Sequence, residues 1–268
     1  MHLPPNGFKA ALRDNRVQIG LWLAMANGYA AEIAGHAGFD WLVVDGEHGP
    51  NDLRSILEQL QALATSPSEV VVRAPVGEKW MIKQLLDIGA RTLLIPMVDS
   101  AEQAAELVQA VCYPPHGVRG MGAAIARASR FNTITDYAAR ASDEICLLVQ
   151  AESRAAMADL ERIAAVEGID GIFIGPSDLA ADMGFPGNLE APEVQSAIEK
   201  GIATIRAAGK PAGILTFNEA LNRHYMALGA TFVAVGADVT EFSSALARLS
   251  RRYKEGSAAA DGEPSTGY

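Results

Sequence analysis

Eight short apolar runs, each parted from the next by a stretch with helical periodicity, constrain this chain more than any other feature. They are residues 17–24 (VQIGLWLA), 41–46 (WLVVDG), 69–74 (EVVVRA), 91–98 (RTLLIPMV), 144–152 (EICLLVQAE), 171–176 (GIFIGP), 212–217 (AGILTF) and 232–237 (FVAVGA). A strand that is apolar along its whole length, rather than in alternation, is buried on both faces. A helix after every strand then forces parallel pairing. The intervening stretches carry helix signals: NDLRSILEQLQALA opens on an Asn-Asp cap, EKWMIKQLLDIGA is closed by Gly89, and SAEQAAELVQAV follows Ser100. Eight such units in 268 residues match the size and count of a closed (β/α)8 TIM barrel. An open doubly wound sheet would carry a Gly-rich phosphate turn after its first strand, and LAMANGYAAE offers only Gly28 there. The cluster GVRGMG (117–122) follows a helix and YPP, and is expected to be a loop.

The composition, 49% hydrophobic and 20% charged, supplies one large core, assigned to residues 1–255. The last segment, GSAAADGEPSTGY (256–268), is small and polar and is expected to be a disordered tail. A net charge of −10 with scattered Lys and Arg excludes nucleic acid and anionic membranes as partners. No segment approaches the ~18 uninterrupted apolar residues of a membrane span, and the N-terminus lacks the apolar stretch of a signal peptide. Cys112 and Cys146 fit neither a disulfide framework nor a zinc-binding pair. A cytoplasmic location is the expectation.

In such a barrel the reacting groups sit where strands end. Those ends supply Asp45, Glu47 and His48 after the second run, Arg73 after the third, Gln150 and Glu152 on the fifth, and Ser177 and Asp178 after the sixth. Gln150 and Glu152 are two apart and share one face of a strand, the barrel interior. Glu152 and Asp178 supply two hard oxygen ligands for Mg2+, Mn2+ or a similar ion. They read equally as helix caps or salt-bridge partners. His48, three residues after Asp45, suits a general base whose tautomer the carboxylate fixes, or a turn histidine in water. Arg73, at the mouth of a core strand, calls for an anion. Two long connections, 112–143 and 177–192, are expected on the same side of the barrel as the strand ends. No lysine stands at a strand's carboxyl end, and there is no GxSxG elbow or P-loop, which argues against covalent catalysis. Acid/base chemistry beside a carbonyl remains.

The segments GLWLAMANGYAAEIAGHAGFDWLVVDGEHGP, VVRAP, GARTLLIPMVDSAEQA, YPPHGVRGMG, LLVQAES and GIDGIFIGPSDLAADMG closely resemble the HpcH/HpaI family of class II, metal-dependent pyruvate aldolases, over residues 8–254. The resemblance implies a (β/α)8 barrel whose last helix is exchanged between subunits, in a homo-hexamer built as a trimer of dimers. It implies one divalent ion per subunit (Mg2+, Mn2+ or Co2+) on Glu152 and Asp178, and Arg73 stabilising the pyruvate enolate. Gln150 would support the metal-bound water or substrate. The turn Gly175, Pro176, Ser177 and Asp178 would receive the pyruvate carboxylate. His48 with Asp45 would form the acid/base dyad, Trp22 and Leu215 the apolar walls, and Asp87 would reach across the subunit interface. The implied reaction is reversible cleavage of 4-hydroxy-2-oxo acids to pyruvate or hydroxypyruvate and an aldehyde. Arg119, Arg127 or Arg130 would offer a second cationic contact to a dicarboxylate substrate. Two rivals are a citrate lyase β or malyl-CoA lyase-like thioester lyase, and a non-catalytic barrel that binds a 2-oxo acid.

Overall fold

Each apolar run is a strand in the computed structural model, which describes residues 1–254. The tail expected at 256–268 lies outside them. A first helix, α1 (Gly7–Arg13), precedes β1 (Gln18–Leu23), α2 (Gly28–Gly35), β2 (Trp41–Asp45) and α3 (Leu53–Ala62). Then come β3 (Glu69–Arg73), α4 (Lys79–Asp87), β4 (Thr92–Ile95), α5 (Ala101–Val111), α6 (Tyr137–Glu144) and β5 (Cys146–Ala151). The order continues with α7 (Arg154–Ala158), α8 (Leu160–Ala165), β6 (Gly171–Ile174), α9 (Pro176–Asp182) and α10 (Pro192–Ala207). It ends with β7 (Ala212–Leu215), α11 (Glu219–Ala227), β8 (Ala230–Ala237) and α12 (Asp238–Lys254). The strands pair in parallel, in chain order, and β8 closes on β1: a (β/α)8 TIM barrel.

Strand alternation divides the core in two. On β5, Leu147, Val149 and Ala151 face the helices, while Cys146 and Leu148 face the barrel axis with Trp41, Phe173 and Phe232. The interior is filled by aromatic rings: Trp22 lies 5.4 Å from Phe173, and Trp41 6.0 Å from Phe232, centroid to centroid. Such rings need small neighbours, and a Cβ on Gly20 or Gly213 would collide with Trp41 or Phe232 respectively. Helix ends follow the local signals. Asp52 caps α3 through the N–H groups of Arg54 and Ser55, and Gly89, at φ +103°, turns the chain out of α4.

One element adds to the sequence expectation and one outcome differs from it. Helix α1 drives Phe8 and Leu12 into the inner core and so closes the amino end of the barrel. The segment 112–143 sits at that same amino end, because α5 carries the chain back across the barrel before it begins. Its Asp136 takes the N–H of Leu3, and its Arg127 donates to Ile88 O and Leu60 O at the ends of α4 and α3. The connection 177–192 does lie at the carboxyl mouth.

Among the described residues no helix is long and apolar enough to cross a membrane. Both cysteines are unpaired.

Candidate active site

Parallel pairing places Asp45, the last residue of β2, beside Arg73, the last of β3. The guanidinium closes on the carboxylate in a fork: Nε donates to Oδ1 at 2.8 Å and Nη2 to Oδ2 at 2.7 Å. Both side chains are buried, so this pair is among the strong, geometrically specific kind. Burial pushes the Asp45 carboxyl up. The Arg73 hydrogen bonds and charge, with the N–H groups of Glu47 and His48, outweigh it and hold the carboxyl below its usual value.

The two members of the expected His48–Asp45 dyad are not joined by a side-chain hydrogen bond. Asp45 Oδ1 accepts the backbone N–H of Glu47 (3.0 Å) and of His48 (3.3 Å), and no hydrogen bond joins it to the His48 imidazole. Asp45 therefore shapes the turn that presents His48, and its carboxylate charge is committed to Arg73. On the far side of the guanidinium, Nη1 lies 2.7 Å from Glu47 Oε2, close enough for an ion pair but without hydrogen-bond alignment. The guanidinium carbon also stands 5.3 Å from the centroid of the Trp22 ring. Within this chain, Arg73 faces two carboxylates and an aromatic face.

Glu152, at the mouth of β5, is buried. Its Oε1 accepts the Met97 N–H at 2.7 Å, and its Oε2 accepts Gln150 Nε2 at 2.5 Å. Burial raises its carboxyl above the usual range against those two bonds, and the charges of Asp178 and Glu47 raise it further. Glu47 is also raised, by burial and by neighbouring carboxylates, against the pull of Arg73. The Glu152 carboxylate is packed against the turn before α9 so closely that a Cβ on Gly175 would collide with it. Met97, which supplies the N–H, holds φ at 56°, a left-handed conformation that costs a non-glycine residue about 1 kcal/mol or more.

A cavity of about 210 Å3 opens over these groups. His48, Arg73, Gln150, Glu152, Ser177 and Asp178 line its polar side, with Gly175 and Pro176 at the turn. Trp22 and Leu215 line the apolar side of the cavity together with Phe173, Leu189 and Phe217. The sequence carried a signal for Phe217, the last residue of the seventh apolar run, and none for Leu189, which arrives on the connection after α9.

Asp87 is not part of the lining. It ends α4 and holds Arg119 Nη2 at 2.7 Å; the Arg119 side chain is buried over the Tyr113 ring. Arg127 is tied to helix-end carbonyls, and Arg130 Nη1 lies 3.4 Å from Met1 Sδ. None of the three arginines reaches the cavity of its own barrel, because their loop lies at the opposite end.

The donor set suits a hard divalent cation. Glu47, Glu152 and Asp178 repel one another electrostatically, and the buried Gln150 Oε1 has no hydrogen-bond donor. Among the described residues no group of three or more His, Cys, Asp or Glu forms a complete cage. An ion held by fewer than a full cage of protein ligands would keep positions for water and substrate oxygens, as in sites that do chemistry.

The sequence model of the family described as HpcH/HpaI aldolase/citrate lyase matches residues 18–245. A protein of Agrobacterium fabrum named hydroxypyruvate/pyruvate aldolase is 70% identical over 96% of this chain and 97% of its own length. A protein of Salmonella dublin named 4-hydroxy-2-oxo-heptane-1,7-dioate aldolase is 56% identical over 92% of this chain and 94% of its own. Among solved structures, an HpcH/HpaI aldolase/citrate lyase family protein from Burkholderia cenocepacia superposes with a TM-score of 0.90. It is 38% identical and the match covers 93% of this chain and 99% of that one.

Proposed function

The chain belongs to the HpcH/HpaI aldolase/citrate lyase family, and from that premise we propose that it is a divalent-metal-dependent aldolase. It reversibly cleaves 4-hydroxy-2-oxo acids to pyruvate or hydroxypyruvate and an aldehyde. The observation that carries this reading is the convergence of Arg73, Glu152 and Asp178, from the carboxyl ends of three different strands or the turns just beyond them, on one cavity.

Glu152 and Asp178 would hold Mg2+, Mn2+ or Co2+, one per subunit, and the bound ion supplies Lewis acidity at the keto oxygen. The first-turn N–H groups of Ser177 and Asp178 have no intrahelical acceptor and take the substrate carboxylate. Arg73 contributes electrostatic stabilisation. Its Nε and one Nη2 hydrogen are spent on Asp45, which locks the plane of the guanidinium, and further N–H groups remain for the oxyanion that develops on C–C cleavage. His48, exposed at the rim, is placed by its turn to move the proton of the aldol hydroxyl, directly or through one water. Gln150 keeps Glu152 oriented, and Trp22 and Leu215 exclude water from the reacting carbons.

The apolar side chains Phe242, Leu246 and Leu249 of α12 are exposed, which supports exchange of this helix between subunits of a homo-hexamer assembled as a trimer of dimers. The placement of Asp87 at the surface end of α4, away from its own cavity, is compatible with service across such an interface. Two free thiols support a cytoplasmic location.

The test is a panel of aldehydes with pyruvate as donor, run with Mg2+, Mn2+, Co2+ and EDTA. Aldol formation should vanish on chelation and return on adding one of the ions. Turnover that survives exhaustive chelation would remove the metal from the mechanism.

A further inference from the structure

Gln103 stands at the third position of α5, three residues after Ser100, whose Oγ accepts the Gln103 N–H. A Ser-x-x-Gln start of this kind ordinarily folds the glutamine back onto the backbone N–H of the cap residue. Here the side chain reaches further. Its Oε1 accepts the N–H of Asp99 at 2.9 Å, and its Nε2 donates to the carbonyl of Met97 at 3.0 Å. The two bonds grip both sides of the left-handed Met97–Asp99 turn from outside. Inside, the same turn is stitched to the end of β5: Met97 N–H donates to Glu152 Oε1 at 2.7 Å, Val98 N–H donates to Gln150 O at 3.1 Å, and Ser153 Oγ donates to Asp99 Oδ1.

We propose that Gln103 is a positioning residue for divalent-cation binding: by clamping the Met97 turn it aims the Met97 N–H at Glu152 Oε1 and so fixes the orientation of that carboxylate. Three observations agree on this role. The turn holds a strained left-handed methionine that an unclamped loop has no reason to keep. The Met97 side chain is 64% exposed, so its own packing does not hold it there, although its neighbour Val98 is buried. The N–H delivered by the strain lands on the one carboxylate oxygen that Gln150 does not hold. Groups that orient a metal ligand are typically worth tenfold or more in metal affinity.

The inference rests on Glu152 being a metal ligand, and the experiment separates the two claims. Full-length protein is stripped of metal, and its Mn2+ dissociation constant is read from the electron paramagnetic resonance signal of free Mn2+. Thermal unfolding of the metal-free samples is recorded beside it. Gln103→Glu keeps an acceptor for the Asp99 N–H and adds a charge that suits a helix N-terminus, yet it loses the donor to Met97 O. Gln103→Leu loses both bonds. The expected result is a rise of about tenfold in the Mn2+ dissociation constant for both, with the metal-free Gln103→Glu protein unfolding no earlier than the wild type. The added negative charge of that variant would by itself tighten cation binding, so weaker binding reports lost geometry. If Gln103→Leu does not fold, Gln103→Glu carries the test. Wild-type Mn2+ affinity in the Gln103 variants, with binding lost in Glu152→Gln, overturns the positioning role alone. Wild-type affinity in Glu152→Gln overturns the ligand assignment and the inference together.

Discussion

Two buried ion pairs mark the two ends of this barrel, and they are built differently. At the amino end, Lys9 Nζ lies 3.1 Å from Asp170 Oδ2 and donates to Ile145 O at 2.6 Å, while Asp170 also takes the Leu147 N–H. One cation meets one carboxylate, and spare lone pairs go to backbone. At the carboxyl mouth, Arg73 serves Asp45 in a fork and touches Glu47, with Glu152 and Asp178 beyond it. One cation faces four carboxylates. Desolvated charge is expensive unless matched, and this fold balances it at one end while leaving a negative surplus at the other. The amino end is finished as a structure, and the surplus of carboxylates at the mouth is what the proposed ligand-binding role would use.

The sharpest way to break this contrast is to unbalance the finished end. Lys9→Met leaves Asp170 buried without its cation and should cost about 3–5 kcal/mol of unfolding free energy, towards the lower figure because both side chains are slightly exposed. The turnover of the folded molecules should be unchanged. Denaturant unfolding beside active-site-normalised kcat checks both halves, and a fall in kcat to match the stability would erase the division of labour.

At the mouth the loss should reach turnover as well as stability, because Arg73 also pairs the buried Asp45. Arg73→Ala should lower kcat by roughly a hundred- to a thousandfold, about 2.7–4 kcal/mol of barrier, because its contact strengthens as charge develops. A change confined to KM in steady-state kinetics would assign Arg73 to substrate binding alone.

The smallest effect is a slope. The folded-state carboxyl of Asp45 lies below its ordinary value of 3.8, so its pairing stabilises the protein above about pH 3.8 and that contribution is lost as the pH falls through the depressed folded value. Asp45→Asn should be less stable near neutrality and lose less on further acidification, measured as unfolding midpoints of metal-free protein between about pH 6 and the acid limit. A parallel pH dependence in the two proteins would mean that Asp45 is not the group being titrated.

Much of this was legible beforehand. The eight runs appear as strands with boundaries within a few residues, because a strand buried on both faces must be apolar throughout and helices must separate parallel neighbours. Residues at the ends of those runs meet in the cavity because strand ends in a closed parallel barrel share one rim. The length of the 112–143 segment says nothing about which end of the barrel it occupies. Connectivity puts a segment that follows a barrel-crossing helix and leads into the next strand at the amino end, where this one is buttressed by Met1 and Leu3 rather than by the cavity.

Which partner Asp45 takes was open in a different sense. Its neighbour along the chain is His48, three residues on, while its neighbour across the sheet is Arg73, twenty-eight residues on. Sequence distance favours the histidine; β2–β3 register and a bidentate fork decide for the arginine. The reach of Gln103 past its own cap to Met97 is likewise invisible in SAEQ. Periodicity and composition settle which residues are core and which lie on the rim, since those depend on hydrophobic burial repeated along the chain. Pairing among the rim charges is settled only when the closed sheet sets which strand ends are neighbours, because electrostatic partners are chosen by distance in space.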